Sequence, residues 1–168
     1  RPVGVVGVKL AEALKPRVSM RRRRSIARWR VNARRPTAGA RVLPDALVSG
    51  AQRAGTSSLF TWLSAHPELA RSLRKEVSYF TRNYGEGEGW YRAHFALAAR
   101  RSLAAARGRR LLAFEATPDY LVHPDVPARA AALVPDAALV VLLRDPVSRA
   151  ISHWRHMVAL GFESLSLE

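Results

Sequence analysis

From residue 45 onward the chain alternates short apolar runs with stretches whose apolar residues recur at helical spacing, the alternation of an α/β domain. Ala46-Leu47-Val48 reads as a first strand. Ser57 to Ala65 reads as a helix with Leu59, Phe60, Trp62 and Leu63 on its apolar face, ended by Pro67. Leu111-Leu112-Ala113-Phe114 reads as a second strand, and Val126 to Val134 as a short helix with Ala130, Leu133 and Val134 turned inward. Ala138-Leu139-Val140-Val141-Leu142-Leu143 is nearly continuous in apolar residues, which predicts a strand buried on both faces of a parallel sheet. Pro146 suits an early helical position, and Val147 to Leu160 reads as a helix stopped by Gly161. The pattern predicts a three-layer α/β domain, a central parallel sheet flanked by helices, with no internal repeat.

Charge changes the picture at the front of the chain. Of the net +15 carried by 168 residues, residues 1–44 supply +12, from 13 Lys or Arg against the single acid Glu12; residues 45–168 are nearly balanced at +3. The run Arg21-Arg22-Arg23-Arg24, then Arg28, Arg30, Arg34 and Arg35, predicts a flexible basic arm over residues 1–44, with weak contact to polyanions as its sharper role. Residues 45–168 are then the folded domain. Because the basicity lies in the arm, the high charge does not by itself imply a specific nucleic-acid partner.

Cysteine is absent, which excludes disulfides, thiolate chemistry and Cys-based zinc sites. No stretch approaches the roughly 18 apolar residues of a spanning helix. His66, His94, His123, His153 and His156 form no ligand pattern, so no metal is expected.

The candidate chemistry begins at Gly50-Ala51-Gln52-Arg53-Ala54-Gly55-Thr56-Ser57-Ser58, between the first strand and its helix. A glycine-rich turn there exposes backbone N–H groups, and the helix N-terminus adds partial positive charge, so the place favours phosphate oxygens. The Gly-x4-Gly spacing matches a nucleotide P-loop, but Thr56 stands where a Walker loop has lysine, and the cation is Arg53 inside the loop.

The segment Leu47 to Phe60, LVSGAQRAGTSSLF, resembles the loop of sulfotransferases that use 3'-phosphoadenylyl sulfate (PAPS), especially the heparan-sulfate-type and bacterial branches. The family form is Gly-x-Gln-Lys-x-Gly-Thr-[Thr/Ser]-[Ser/Ala]-Leu, with Arg53 here in place of the lysine. An arginine still caps negative oxygens, though as a planar fork rather than a point charge. The resemblance implies a P-loop-like fold and a donor site made of Gln52, Arg53, Ala54, Gly55, Thr56, Ser57 and Ser58. It extends to Leu142-Leu143-Arg144-Asp145-Pro146-Val147-Ser148-Arg149-Ala150-Ile151-Ser152, similar to the family segment in which a strand-end arginine and a serine eight residues on bind the donor's 3'-phosphate. Arg144 and Ser152 hold those positions.

Between them, Lys75-Glu76-Val77-Ser78-Tyr79-Phe80 resembles a family segment that usually reads Lys-Glu-[Ile/Val/Pro]-His-Phe-Phe, and Trp90-Tyr91 with Phe95 resembles a Trp-Tyr-x-x-x-Phe segment. This implies Glu76 as the general base, with Arg53 as catalytic cation and Lys75 beside the acceptor; Ser78 replaces the common histidine. Glu115-Ala116-Thr117-Pro118-Asp119-Tyr120 resembles Glu-Lys-[Ser/Thr]-Pro-x-Tyr, which implies Glu115, Thr117 and Tyr120 on the acceptor side, without the lysine that grips acidic sugars.

The resemblance covers residues 46–158 and implies sulfuryl transfer from PAPS, without a metal, to a hydroxyl or amine of an acceptor, expected to be a carbohydrate. It also implies that the chain is the front part of a longer enzyme. The Ala- and Arg-rich composition points to the cytoplasm, whereas an animal-type relative would work in the Golgi lumen. Two other classes remain: a P-loop kinase or nucleotide hydrolase, and a non-catalytic polyanion-binding module. Neither accounts for Arg144 and Ser152.

Overall fold

The computed structural model describes residues 20–166, and the side chains from residue 25 onward; the expectations for residues 1–19 fall outside these. The chain divides into two compact units between Arg30 and Val31. Helix α1, Met20–Asn32, crosses that division. Residues 31–44, which charge alone groups with the arm, lie in the larger unit. Val31 is 4% exposed, and Arg41 donates through Nη1 to the Phe95 carbonyl at 2.8 Å, a carbonyl that also accepts from Arg34 Nη2 at 2.5 Å. The packed body therefore starts at Val31: guanidinium groups that pair with backbone carbonyls belong to a fold even where the local charge is high.

The sheet is parallel throughout, in the order β2-β3-β1-β4, with β1 Ala46–Gly50, β2 Leu69–Arg71, β3 Leu112–Ala116 and β4 Ala138–Leu142. Helix α2, Thr56–Ala65, follows β1; α3, Glu88–Arg92, and α4, Ala98–Ala105, precede β3; α5, Val126–Leu133, and α6, Pro146–Ala159, flank β4. In β1 the side-chain alternation of a strand puts Leu47 on one face and Val48 on the other. Leu47 joins Val77, Phe80, Tyr91, Phe95, Ala113 and Val126 in one core, and Val48 joins Phe60, Phe114 and Ala116 in the second. Phe60 of α2 meets Phe114 with ring centroids 5.4 Å apart, and burying such a ring contributes about 1.5–3 kcal/mol.

Two expectations from the apolar pattern are corrected. Trp62 is 73% exposed, because at about 100° per residue it lies roughly a third of a turn from the centre of the arc shared by Leu59, Phe60 and Leu63. β4 is not buried on both faces: Leu139 is 70% and Val141 49% exposed. Among the described residues it is hydrogen-bonded along β1 alone, and the inner positions of the sheet belong to β1 and β3. Strand β2 escapes the pattern because it is only three residues long.

Candidate active site

The carboxyl ends of β1, β3 and β4 open onto one cleft of about 500 Å³, where parallel sheets place their ligands. β1 ends at Gly50, φ 144°, where an added Cβ would lie 2.4 Å from the Leu142 carbonyl oxygen; only glycine allows this approach of β1 to β4. The Ala51 N–H then donates to that same carbonyl at 3.1 Å, and Gly55 turns left-handed at φ 101° to open α2. The first helical bond is Leu59 N–H to Gly55 O, 3.1 Å. The N–H groups of Thr56, Ser57 and Ser58 therefore have no acceptor inside the helix, and all three residues line the cleft.

The opposite wall comes from α6. Asp145 caps its first turn by accepting from the Ser148 N–H at 2.8 Å, and this hydrogen bond holds its carboxyl below the usual range. Capping fixes where α6 starts and so where its side chains point. Ser152 and His156, one turn apart, face the cleft with Arg144 from the end of β4. Arg53 Nε donates to Ser152 Oγ at 3.1 Å, and Arg144 Nη1 donates to the Arg53 carbonyl at 3.1 Å. Three donors, Arg53, Arg144 and Ser152, thus gather at one side of a phosphate-sized space.

Lys75 and Glu76 form the third wall, joined by Lys75 Nζ to Glu76 Oε1 at 2.5 Å. Glu76 has φ 58°, and the other non-glycine residues with positive φ among the described ones are Arg53 at 69° and Ser78 at 54°. Such backbone costs about 1–3 kcal/mol per residue and persists where the surroundings enforce it. Beyond Glu76 lies a second hollow of about 280 Å³, lined by Arg74, Glu76, Ser78, Arg82 and Asn83. Burial lowers the Arg74 pKa below its usual value, and the neighbouring Arg82 charge adds to this against the pull of Glu115 and Glu76.

Ten residues implied by the resemblance line the main cleft: Gln52, Arg53, Gly55, Thr56, Ser57, Ser58, Lys75, Glu76, Arg144 and Ser152. Ala54 does not, since its N–H turns back to Ala51 O at 3.1 Å. Glu115, Thr117 and Tyr120 lie beneath the cleft rather than in it. Glu115 is 0% exposed and accepts hydrogen bonds from Tyr91, Thr117 and Tyr120. Burial pushes its carboxyl pKa up, against those three hydroxyls and the Arg74 charge.

Asp119 and His156 also line the cleft, although no motif marks them. Asp119 binds Gln52 Nε2 at 3.2 Å and Arg82 Nη2 at 3.1 Å, tying the loop to the second hollow. Its signal was the proline before it: Pro118 opens a 3-10 turn over Pro118–Leu121 in which Tyr120 packs inward and Asp119 faces the cleft. For His156 the signal was its spacing of one helical turn from Ser152. Among the described residues no group of three or more His, Cys, Asp or Glu side chains is arranged to hold a metal ion.

No family model matches the chain. It is 34% identical over 134 residues to mouse heparan sulfate glucosamine 3-O-sulfotransferase 3B1, covering 77% of this chain and 32% of that protein. It is 32% identical over 123 residues to the bifunctional heparan sulfate N-deacetylase/N-sulfotransferase 1 of Caenorhabditis elegans, covering 70% of this chain and 13% of that one. A crystal structure of a sulfotransferase from Alicyclobacillus acidocaldarius superposes with a TM-score of 0.55 at 33% identity, over 74% of this chain and 54% of that one. The chain belongs to the sulfotransferase family. Its parallel sheet with flanking helices is the P-loop-like fold of that sulfotransferase structure. The chain spans about a third of the length of the 3-O-sulfotransferase it matches. Among the described residues of this sulfotransferase-family chain, no helix is long and apolar enough to cross a membrane.

Proposed function

We propose that this protein transfers the sulfuryl group of PAPS to a hydroxyl or amine of a carbohydrate. The observation that carries the reading is that Glu76 lines two spaces at once: the cleft of Arg53, Arg144 and the α2 N-terminus, and the cationic hollow of Arg74 and Arg82. A base between a donor site and an acceptor site is what in-line group transfer needs.

In this reading the 5'-phosphosulfate lies against the N–H groups of Thr56, Ser57 and Ser58, and the 3'-phosphate against Arg144 and Ser152. The acceptor oxygen attacks sulfur while the bond from sulfur to the bridging phosphate oxygen breaks. Glu76 takes the acceptor proton, and the electron pair leaves on 3'-phosphoadenosine 5'-phosphate. Arg53 and the compact ammonium of Lys75 offset the charge that develops on the bridging oxygen. For Glu76 to act, its ion pair with Lys75 opens as Lys75 turns toward the donor.

Arg74 and Arg82 favour an acceptor with an anionic group beside the reacting one, an acidic sugar rather than a neutral one. The matched relatives named for heparan sulfate fit that class. The test is label transfer from PAPS to acidic and neutral polysaccharides by the whole protein. Transfer to acidic chains is expected; hydrolysis of ATP with no transfer to any carbohydrate contradicts the reading.

A further inference from the structure

We propose that Glu115, acting through the hydroxyls of Thr117 and Tyr120, is a positioning residue that holds the turn over residues 76–80 in the shape that presents Glu76 to the cleft. This rests on the assignment of Glu76 as the base.

The carbonyls of the turn are held locally, Val77 O by Asn83 Nδ2 at 2.8 Å and Ser78 O by the Asn83 N–H at 3.0 Å, but its N–H groups are not. Glu76 and Ser78 both have positive φ without being glycine, and neither sits in a helix or strand. Its N–H groups are held by hydrogen bonds to the end of β3 and the segment after it. The Glu76 N–H donates to Ala116 O at 2.9 Å, the Ser78 N–H to Thr117 Oγ1 at 3.3 Å, and the Tyr79 N–H to the Tyr120 hydroxyl at 2.9 Å, which the Phe80 N–H also reaches at 3.4 Å.

A hydroxyl has one proton and two lone pairs, so it accepts from backbone N–H groups in a fixed direction only when its own proton has somewhere to go. Glu115 provides that place twice. Thr117 Oγ1 donates to Glu115 Oε2 at 2.9 Å, and the Tyr120 hydroxyl donates to Oε1 at 2.9 Å, where the Tyr91 hydroxyl also donates at 2.5 Å. Burial and the nearby Glu115 carboxylate push the pKa of both tyrosines up, so these hydroxyls keep their protons and remain donors. The carboxylate thus orients two hydroxyls, whose lone pairs then fix three amides of the turn. Its register follows from the sheet: Leu47 of β1 pairs with Glu115, so the carboxylate points to the same interior face as Leu47, under the turn.

The test uses the whole protein as Tyr120→Phe, Thr117→Val and Glu115→Gln. The first two each delete one oxygen and keep the packing; the third keeps the shape but offers an amide N–H₂ where Thr117 needs an acceptor. Hydrogen exchange is followed at residues 76–80 and in β1, together with kcat and the Kd for 3'-phosphoadenosine 5'-phosphate. All three variants are expected to exchange about tenfold faster at residues 76–80 with β1 unchanged, and to lose about tenfold in kcat with donor Kd within about twofold of wild type. Unchanged exchange at residues 76–80 in Tyr120→Phe and Thr117→Val overturns the proposal, as does faster exchange spread equally through β1. Should Glu115→Gln not fold, the two hydroxyl deletions still decide. Exchange needs no acceptor, so a wild-type protein without sulfuryl transfer contradicts the proposed function and leaves the exchange result to judge the positioning.

Discussion

Arg53 Nε donates to Ser152 Oγ at 3.1 Å although the two residues are 99 apart in sequence. The contact joins the loop after β1 to helix α6, and Arg144 closes it from the other side by donating to the Arg53 carbonyl. Arg144 and Ser152 are thus held together at the proposed 3'-phosphate position, where a charge-assisted hydrogen bond to phosphate contributes about 1.5–3 kcal/mol. Arg144→Ala is expected to weaken binding of 3'-phosphoadenosine 5'-phosphate by about 10- to 100-fold, and Ser152→Ala by a few-fold. Because Arg53 and Ser152 touch, their double substitution should cost less than the two single losses combined. Calorimetry on the four variants checks this; full additivity would mean that the contact does not persist in the bound state.

Glu76→Gln keeps the side chain's shape and removes the base. Turnover is expected to fall by about 100- to 10,000-fold, with donor Kd nearly unchanged. Steady-state rates beside calorimetry separate the two. A fall in donor affinity matching the fall in rate would make Glu76 a binding residue instead.

His94 makes stability depend on pH. It is 1% exposed, its Nδ1 lies 3.0 Å from the Trp90 carbonyl, and its Nε2 has no partner. Burial lowers its pKa from 6.5 to about 4, with the charges of Arg74 and Arg34 acting in the same direction. A base whose folded pKa is depressed is folded in its neutral form, so its contribution is complete above pH 6.5 and is lost as pH falls toward 4. The unfolded chain binds the extra proton in that window, which removes about 3 kcal/mol in all. Glu115, an acid with a raised pKa, has the opposite sign and partly masks the slope. His94→Asn should flatten the loss between pH 6.5 and 4 in urea titrations; an unchanged slope would exclude His94 as its source.

The start of the packed body is tested by two deletions. Removal of residues 1–30 should leave the melting of the larger unit nearly unchanged. Removal of residues 1–41 takes away Val31 and both guanidinium groups on the Phe95 carbonyl, and should cost about 2–4 kcal/mol. Equal stability of the two would return residues 31–41 to the arm.

Much of this architecture is legible in the sequence because it depends on local pattern. Leu47 and Val48 alternate as a strand must, Gly50 and Gly55 mark the loop, and Pro146 marks the start of α6. Features that depend on pairing between distant segments are not legible. The apolar run of β4 looks like a central strand, whereas among the described residues it pairs on one side with β1. In the same way, Glu115 reads as a cleft residue until its pairing with Leu47 turns it inward, while its neighbour Asp119 takes the exposed place. The positive φ of Glu76, whose N–H is bound to Ala116 O from a strand 40 residues on, leaves no trace in its own residue type.

The central claim is that the loop from Gly50 to Ser58, with Arg144 and Ser152, forms a site for a 3',5'-bisphosphorylated adenosine and not for a nucleoside triphosphate. Calorimetry of the whole protein with 3'-phosphoadenosine 5'-phosphate and, separately, with ATP and magnesium tests it most directly. The account predicts a Kd on the order of micromolar for the bisphosphate, about 10-fold or more tighter than for ATP. Tighter binding of ATP, or no binding of the bisphosphate, would contradict it.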